Sequence, residues 1–440
     1  MLRRIMKERK ELLAGGTFSQ YVQAHKEKLP AVVVALDQYS AFREKTQDRY
    51  QRNIQELIKE GASLGVYLIL TANSIGSSEL PLSLAEQIRG NVSLAMNDRY
   101  QYQEILKTGK TDIVPDERYR GRGLLGVFGR VLEFQTAVAV GAEDDYQRME
   151  LIRKKCEQMA AAWTGRRARQ VPEIPENPTF SQFAEISQVQ QQLSDDRSLP
   201  IGYDMVSGEI AFLDLSRFFC YLIAGRRRTG KSNFLQFMIR MAAKKGGKLC
   251  VIDGSGNLER LARETGAAYL KTPKQILDYF YDLMPKIQER NKEKGEFIRQ
   301  GLEEAEMYQR LRDYENIFIF ISSLQEFTRL LYEPKEDEPN MHGFFETLAR
   351  KGRMHKVYFF AEYDSNGEYY CRDKEFFRAF VKEGTGILFG GMASEQDFLD
   401  FSAFGTMAER NQAEKPSIGW TASGDGLLPE GKIVVPLAGK

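Results

Sequence analysis

The chain has 440 residues, of which 42% are hydrophobic, 11% aromatic and 28% charged. That composition excludes a disordered or low-complexity protein and leaves room for two to four domains at roughly 100–200 residues each. Lys and Arg total 62 against 61 Asp and Glu, a formal net charge of +1, so no overall field draws the chain to nucleic acid. Four cysteines (Cys156, Cys220, Cys250, Cys371) fall in no paired spacing and only three histidines accompany them; this argues against a Cys/His zinc site and for a reducing compartment.

The chain opens on MLRRIMKERKELL (1–13), basic and amphipathic, with no apolar core or cleavage site behind it. It reads as a helix and not as a signal peptide. No apolar run reaches the roughly 18 residues of a membrane span, so the chain alone is expected to be soluble and cytoplasmic. Strand-like runs follow at AVVVAL (31–36) and VYLILTA (66–72). A polar stretch with three prolines over 165–182, followed by EISQVQQQLSDDR (185–197), reads as an inter-domain connector. We place a first domain at 1–145, a linker at 146–197 and a second domain at 198–440. In the second come YLIAG (221–225), KLCVID (248–253), NIFIFIS (316–322), VYFFAE (357–362) and GILFGG (386–391). Short apolar strands separated by helical stretches predict an α/β fold with mainly parallel central sheets covered on both faces.

The two halves resemble each other. ERKE (8–11) matches ERNKE (289–293), and VVVALDQYSAF (32–42) matches FIFISSLQEF (318–327) with Phe42 over Phe327. EGASLGVYLIL (60–70) matches KGRMHKVYFFA (351–361), with Gly61 over Gly352. GRGLLGVFGRVLEFQTAVA (121–139) matches GDGLLPEGKIVVPLA (424–438). Order is kept and the spacing grows slowly, as expected of a duplicated module whose loops lengthen.

The sharpest motif is Gly225-Arg226-Arg227-Arg228-Thr229-Gly230-Lys231-Ser232, a full match to the phosphate-binding pattern G-x-x-x-x-G-K-[ST]. A strand precedes it and an apolar helix follows. The glycines let the loop curl so that backbone N–H groups face a phosphate, and the helix start adds partial positive charge. Lys231 is expected to bridge the β- and γ-phosphates of ATP and Ser232 to hold Mg²⁺. The three arginines read either as a solvated basic loop or as charge aimed at a nucleotide or partner.

A hydrolytic site also needs a strand ending in Asp for the metal and a carboxylate to activate water. In the second half the strand ends in Ser322-Ser323, neither acidic, so weak or absent hydrolysis is expected. Glu326 lies farther along, but its matched position in the first half is Ala41. In the first half the strand runs into Asp37-Gln38: Asp37 is either a metal residue or a helix cap, and Gln38 orients water but takes no proton. Asn73, at the tip of the next strand, is a candidate γ-phosphate sensor. The first half has no phosphate-binding loop; the repeat places one ahead of Met1, which predicts a module whose phosphate-binding half is missing.

On GRRRTGKS (225–232), LPAVVVALDQYSAF (29–42), GASLGVYLILTANS (61–74) and GRGLLGVF (121–128), the chain resembles the FtsK/SpoIIIE superfamily of motor ATPases. More narrowly, Asp37-Gln38-Tyr39 and the LPIGYD lead-in (199–204) resemble the C-terminal modules of type VII secretion ATPases of the EssC/EccC type. The resemblance covers about 1–145 and 198–440. It implies RecA-like P-loop modules, one partial and one complete, that bind ATP and Mg²⁺ and form hexamers through the full-length protein. Membrane attachment would come from upstream segments, placing the chain on the cytoplasmic side of the cell membrane. The last module would dock small helical-hairpin substrates of the WXG100 type. A DNA translocase and a non-hydrolysing scaffold are the competing functions. The near-neutral charge and the absence of a basic winged-helix domain after GKIVVPLAGK (431–440) speak against the first; the retained Lys231-Ser232 speaks against the second. Arg89 and Arg353 are candidate arginine fingers. The pairs Phe344-Phe345 and Phe376-Phe377 read as core.

Overall fold

The computed structural model describes the chain except for residues 1, 26–28, 47, 49, 77–78, 97–98, 108–111, 128–129, 166, 168–171, 352, 354, 367–368, 402–406, 423–430 and 440. It divides into two compact units, Met1–Arg169 and Gln170–Lys440.

The first unit holds β1 (Val32–Leu36), β2 (Val66–Leu70), β3 (Val92–Leu94), β4 (Arg122–Val127) and β5 (Arg130–Gln135). β1 and β2 form a parallel pair with Val32 opposite Val66 and Leu36 opposite Leu70. β3, β4 and β5 form a separate antiparallel sheet.

The second unit holds β6 (Ser198–Asp204), β7 (Ile210–Asp214), β8 (Cys220–Gly225), β9 (Lys248–Ile252), β10 (Ala268–Leu270), β11 (Ile317–Ile321), β12 (Val357–Asp364), β13 (Gly386–Phe389), β14 (Ile418–Ala422) and β15 (Gly431–Val434). They build one sheet in the order β10-β9-β11-β12-β8-β13-β14-β15-β6-β7. From β10 to β13 every pairing is parallel; from β13 to β7 every pairing is antiparallel. All seven apolar runs singled out in the sequence are strands. In the second unit the central parallel strands β8, β11 and β13 are buried on both faces, which is why they read as continuous apolar runs. Ile317, Ile319 and Ile321 of β11 face one core with Phe345, Phe376 and Phe377. Phe318 and Phe320 face the other, with Phe234 and Met238 of the helix Lys231–Lys245. The paired phenylalanines are therefore core, with Phe344 half-buried against it.

The matched halves share an anchor. Arg9, in the helix Leu2–Leu13, is buried and donates to the backbone oxygens of Leu64 at 2.7 Å and Pro30 at 2.6 Å. Arg290, in the helix Pro273–Arg299, is buried and donates to the backbone oxygens of His355 at 2.7 Å and Glu315 at 2.9 Å. Leu64 and His355 each stand two residues before a matched strand, β2 and β12. Pro30 and Glu315 each stand two residues before β1 and β11. One guanidinium thus ties the entrances of two neighbouring strands in each unit. The residue just before β2 and β12 is left-handed in both, Gly65 at φ 72° and Lys356 at φ 52°. Gly352 and the 424–430 part of the last matched segment lie outside the described residues.

Helices Asp145–Ala162, Phe180–Ala184 and Ser187–Ser194 fall in or overlap the stretch 146–197. Asp145–Ala162 is a helix capped by the Asp144 side chain, which accepts from the Gln147 amide. Helices Phe180–Ala184 and Ser187–Ser194 bury Phe183 and Val189 in the second core. Phe183 meets Phe237 and Tyr203 edge-on, with ring centroids 5.4 and 5.1 Å away. Isolated apolar residues in a polar stretch found partners that composition alone did not reveal.

Candidate functional site

The loop Gly225–Ser232 joins the end of β8 to the helix Lys231–Lys245. Gly225 has φ 148°, and a Cβ there would lie 2.0 Å from the Phe389 carbonyl oxygen. Gly230, at φ 117°, caps the helix in a region that favours glycine. Thr229 Oγ1 donates to the carbonyls of Arg226 at 2.7 Å and Phe389 at 2.9 Å, which clamps the loop to the end of β13. The first-turn amides of the helix are left for an acceptor outside it, and no acidic side chain occupies that turn.

Lys231 is buried and donates from Nζ to the Arg226 carbonyl at 2.7 Å. Burial lowers its pKa, while the carboxylates of Glu362 and Asp364 pull it back up. Ser232 Oγ donates to Glu362 Oε1 at 3.1 Å. Arg226 pairs with Glu395 at 2.9 Å and Arg227 with Asp364 at 3.0 Å. Arg228 is left-handed at φ 62°. Two of the three loop arginines thus hold acidic partners in exposed ion pairs, each worth about 0–1 kcal/mol.

Ser322 and Ser323 follow β11 directly. Ser322 Oγ donates to Asp253 Oδ1 at 2.9 Å, so its hydroxyl is turned toward the end of β9. Asp253 is fully buried and also accepts from Ser255 Oγ and from the Leu258 amide. Burial works to raise its pKa, but these hydrogen bonds outweigh it and hold the carboxyl below its ordinary value. Ser323 caps the helix Leu324–Tyr332 by accepting from the Glu326 amide at 3.2 Å.

In the first unit Asp37 and Gln38 follow β1, and Thr71 follows β2. Thr71 Oγ1 donates to Asp37 Oδ1 at 2.5 Å and accepts from the Gln38 amide at 2.8 Å. Gln38 is left-handed at φ 52°, and Asp37 and Asn73 are exposed. Of the candidate fingers, Arg353 is held by Glu383 at 2.9 Å and Arg89 is exposed.

Sequence reasoning missed Glu362. It lies on β12 opposite Ile223 of β8, so it stands beside the loop-bearing strand. Burial pushes its carboxyl above the usual range, against the pull of Lys231 and of the Ser232 hydrogen bond. The available signal was an acidic residue ending the apolar run VYFFAE, at the position matched to Thr71. A hydroxyl and carboxylates are hard oxygen donors of the kind Mg²⁺ takes beside a nucleotide, so the residues present fit that ion.

No family model matches the chain. Over 216 residues it is 23% identical to the type VII secretion system protein EssC of Staphylococcus aureus, covering 48% of this chain and 14% of that protein. Over 283 residues it is 21% identical to the ESX secretion system protein EccC of Geobacillus thermodenitrificans, covering 63% of this chain and 18% of that protein. The chain spans less than a fifth of the length of these curated relatives. In fold it matches EssC ATPases 2 and 3 from Geobacillus thermodenitrificans with a TM-score of 0.68 at 18% identity, over 99% of this chain and 77% of that one. It matches Thermomonospora curvata EccC ATPases 2 and 3, solved in complex with a signal sequence peptide, with a TM-score of 0.52 at 16% identity, over 99% and 75%. The chain is thus similar in sequence to the EssC and EccC proteins of type VII and ESX secretion systems and shares the fold of the ATPases 2 and 3 of such proteins.

Proposed function

We propose that the second unit binds ATP with Mg²⁺ at Gly225–Ser232 and hydrolyses it weakly. The observation that carries this reading is the loop itself, curled between β8 and its helix with Lys231 buried at the helix start and Ser232 beside it. Lys231 would leave the Arg226 carbonyl for the phosphates, and the helix N-terminus would face their charge. Ser322 and Ser323 offer no carboxylate for water activation, which is the reason for slow turnover.

Within a type VII secretion ATPase, these modules would regulate the motor and recruit small helical-hairpin substrates of the WXG100 type. The signal sequence peptide named with the Thermomonospora curvata EccC structure supports substrate docking on a module of this kind. Hexamer formation, and placement on the cytoplasmic side of the membrane through other segments, belong to the same reading. Among the described residues no helix is long and apolar enough to cross a membrane. The first unit would be part of a second RecA-like module, its parallel pair β1–β2 corresponding to β11–β12.

Calorimetric titration of Mg-ATP into the full chain tests the central claim. Binding is expected, and Lys231→Ala should weaken it by roughly tenfold to a hundredfold, the worth of one or two charge-assisted hydrogen bonds. Absent binding at millimolar nucleotide, or unchanged affinity in the variant, would overturn it.

A further inference from the structure

We propose that Glu362, reaching from the strand beside the loop-bearing strand, supplies the carboxylate that orders Mg²⁺ next to Ser232, in place of the acidic residue that the end of β11 lacks. The inference rests on the nucleotide reading of the loop.

Register carries the first step. Leu36 pairs with Leu70, so the next residues, Asp37 and Thr71, stand side by side at the ends of β1 and β2. Ile321 pairs with Ala361, so Ser322 and Glu362 occupy the same two places on β11 and β12. Carboxylate and hydroxyl have changed strands. In the first unit the acid follows β1 and the hydroxyl follows β2; on the matched strands of the second unit the hydroxyl follows β11 and the acid lies on β12.

The second step is direction. Ser322 Oγ is given to Asp253, on the side away from the loop. Glu362 turns the other way and accepts from Ser232 Oγ at 3.1 Å, the hydroxyl at the second position of the helix. Among the described residues Glu362 forms no ion pair, and the nearby Lys231 donates to the Arg226 carbonyl. A partly buried carboxylate held only by a neutral hydroxyl keeps lone pairs for a metal ion or its water. The swap also moves the acid one strand closer to the loop, since β12 pairs directly with β8 and β11 does not.

Titration of ATP into the full chain, once with Mg²⁺ and once with EDTA, tests this in the wild type and in Glu362→Gln. Mg²⁺ should tighten ATP binding in the wild type by about tenfold, the worth of one well-placed ionic contact. In Glu362→Gln the metal-free affinity should persist while the Mg²⁺ advantage falls toward onefold. With Mn²⁺ as the probe, the broadened electron paramagnetic resonance signal of ATP-bound metal should be lost with it. Should Glu362→Gln fold poorly, Glu362→Asp shortens the reach by one methylene and should cut the advantage in part. A full Mg²⁺ advantage in either folded variant would overturn the inference and leave Glu362 as a brace for Ser232. Failure of the wild type to bind ATP at all would overturn the nucleotide reading and this inference together.

Discussion

The strand pairs β1–β2 and β11–β12 have the same direction, the same register relative to their ends and the same buried arginine at their entrance. Their burial differs. Every residue of β11 is buried, whereas β1 alternates, with Val33 60% exposed. On β2, Ile69 is 57% exposed, while its matched residue Phe360 is fully buried. The apolar character of the two pairs is alike, so hydrophobicity alone did not decide what became core. A strand pair buries its second face only where another layer covers it. In the second unit the helix after the phosphate-binding loop provides that layer, packing Phe234, Phe237 and Met238 onto the sheet. No counterpart of this helix follows a loop-bearing strand in the first unit among the described residues.

The largest effects should fall on that contrast. Phe318→Ala removes a buried ring stacked on Tyr358 at 5.4 Å and should cost about 3–5 kcal/mol. Val33→Ala, at the matched position, should stay within about 0.5 kcal/mol. Urea unfolding of both variants decides the matter; a large loss at Val33 would mean that its exposed face is in use.

The shared arginine comes next. Arg290→Ala and Arg9→Ala each remove charged hydrogen bonds to two strand entrances and should destabilise their own unit by roughly 2–3 kcal/mol. Hydrogen exchange followed along β1–β2 and β11–β12 assigns the loss to a unit. A silent Arg9→Ala would break the equivalence of the two anchors.

The smallest effect tests whether the swapped carboxylates can be swapped back. Ser322→Asp would set a second carboxylate against Asp253, which now accepts from Ser322 at 2.9 Å. A loss of about 1–2 kcal/mol is expected at neutral pH, from the lost donor and the like charge. Such a pair has a folded pKa above its unfolded value, so the penalty is full well above that pKa and fades as pH falls through it. Melting curves over a pH series should show the gap between variant and wild type closing on the acid side. A constant gap would mean that Asp253 is not the group opposed.

Much of the second unit was legible because its signals are local. Gly225 through Ser232 is one contiguous motif, and strands buried on both faces leave continuous apolar runs. The likeness of the halves was legible because ERKE and ERNKE and the strand runs after them keep the same order along the chain. Less was legible at 146–197, where Phe183 and Val189 carry too little periodicity to show that they dock. Glu362 escaped because an acid at the end of an apolar strand has no motif; its meaning depends on which strand lies beside β12. Ser322 and Ser323 are neighbours of β11 along the chain, whereas Glu362 meets Ser232 only across the sheet.

Chain order alone determined the α/β class, the paired modules, the place of the loop and the absence of acid after β11. Each of these follows from neighbours in sequence: strand periodicity, glycine placement, and the residue that ends a strand. Only tertiary structure decided which apolar strands became core, and which carboxylate faces Ser232. Parallel pairing sets residues from distant segments side by side, and hydrogen-bonded register cannot be read from either segment by itself.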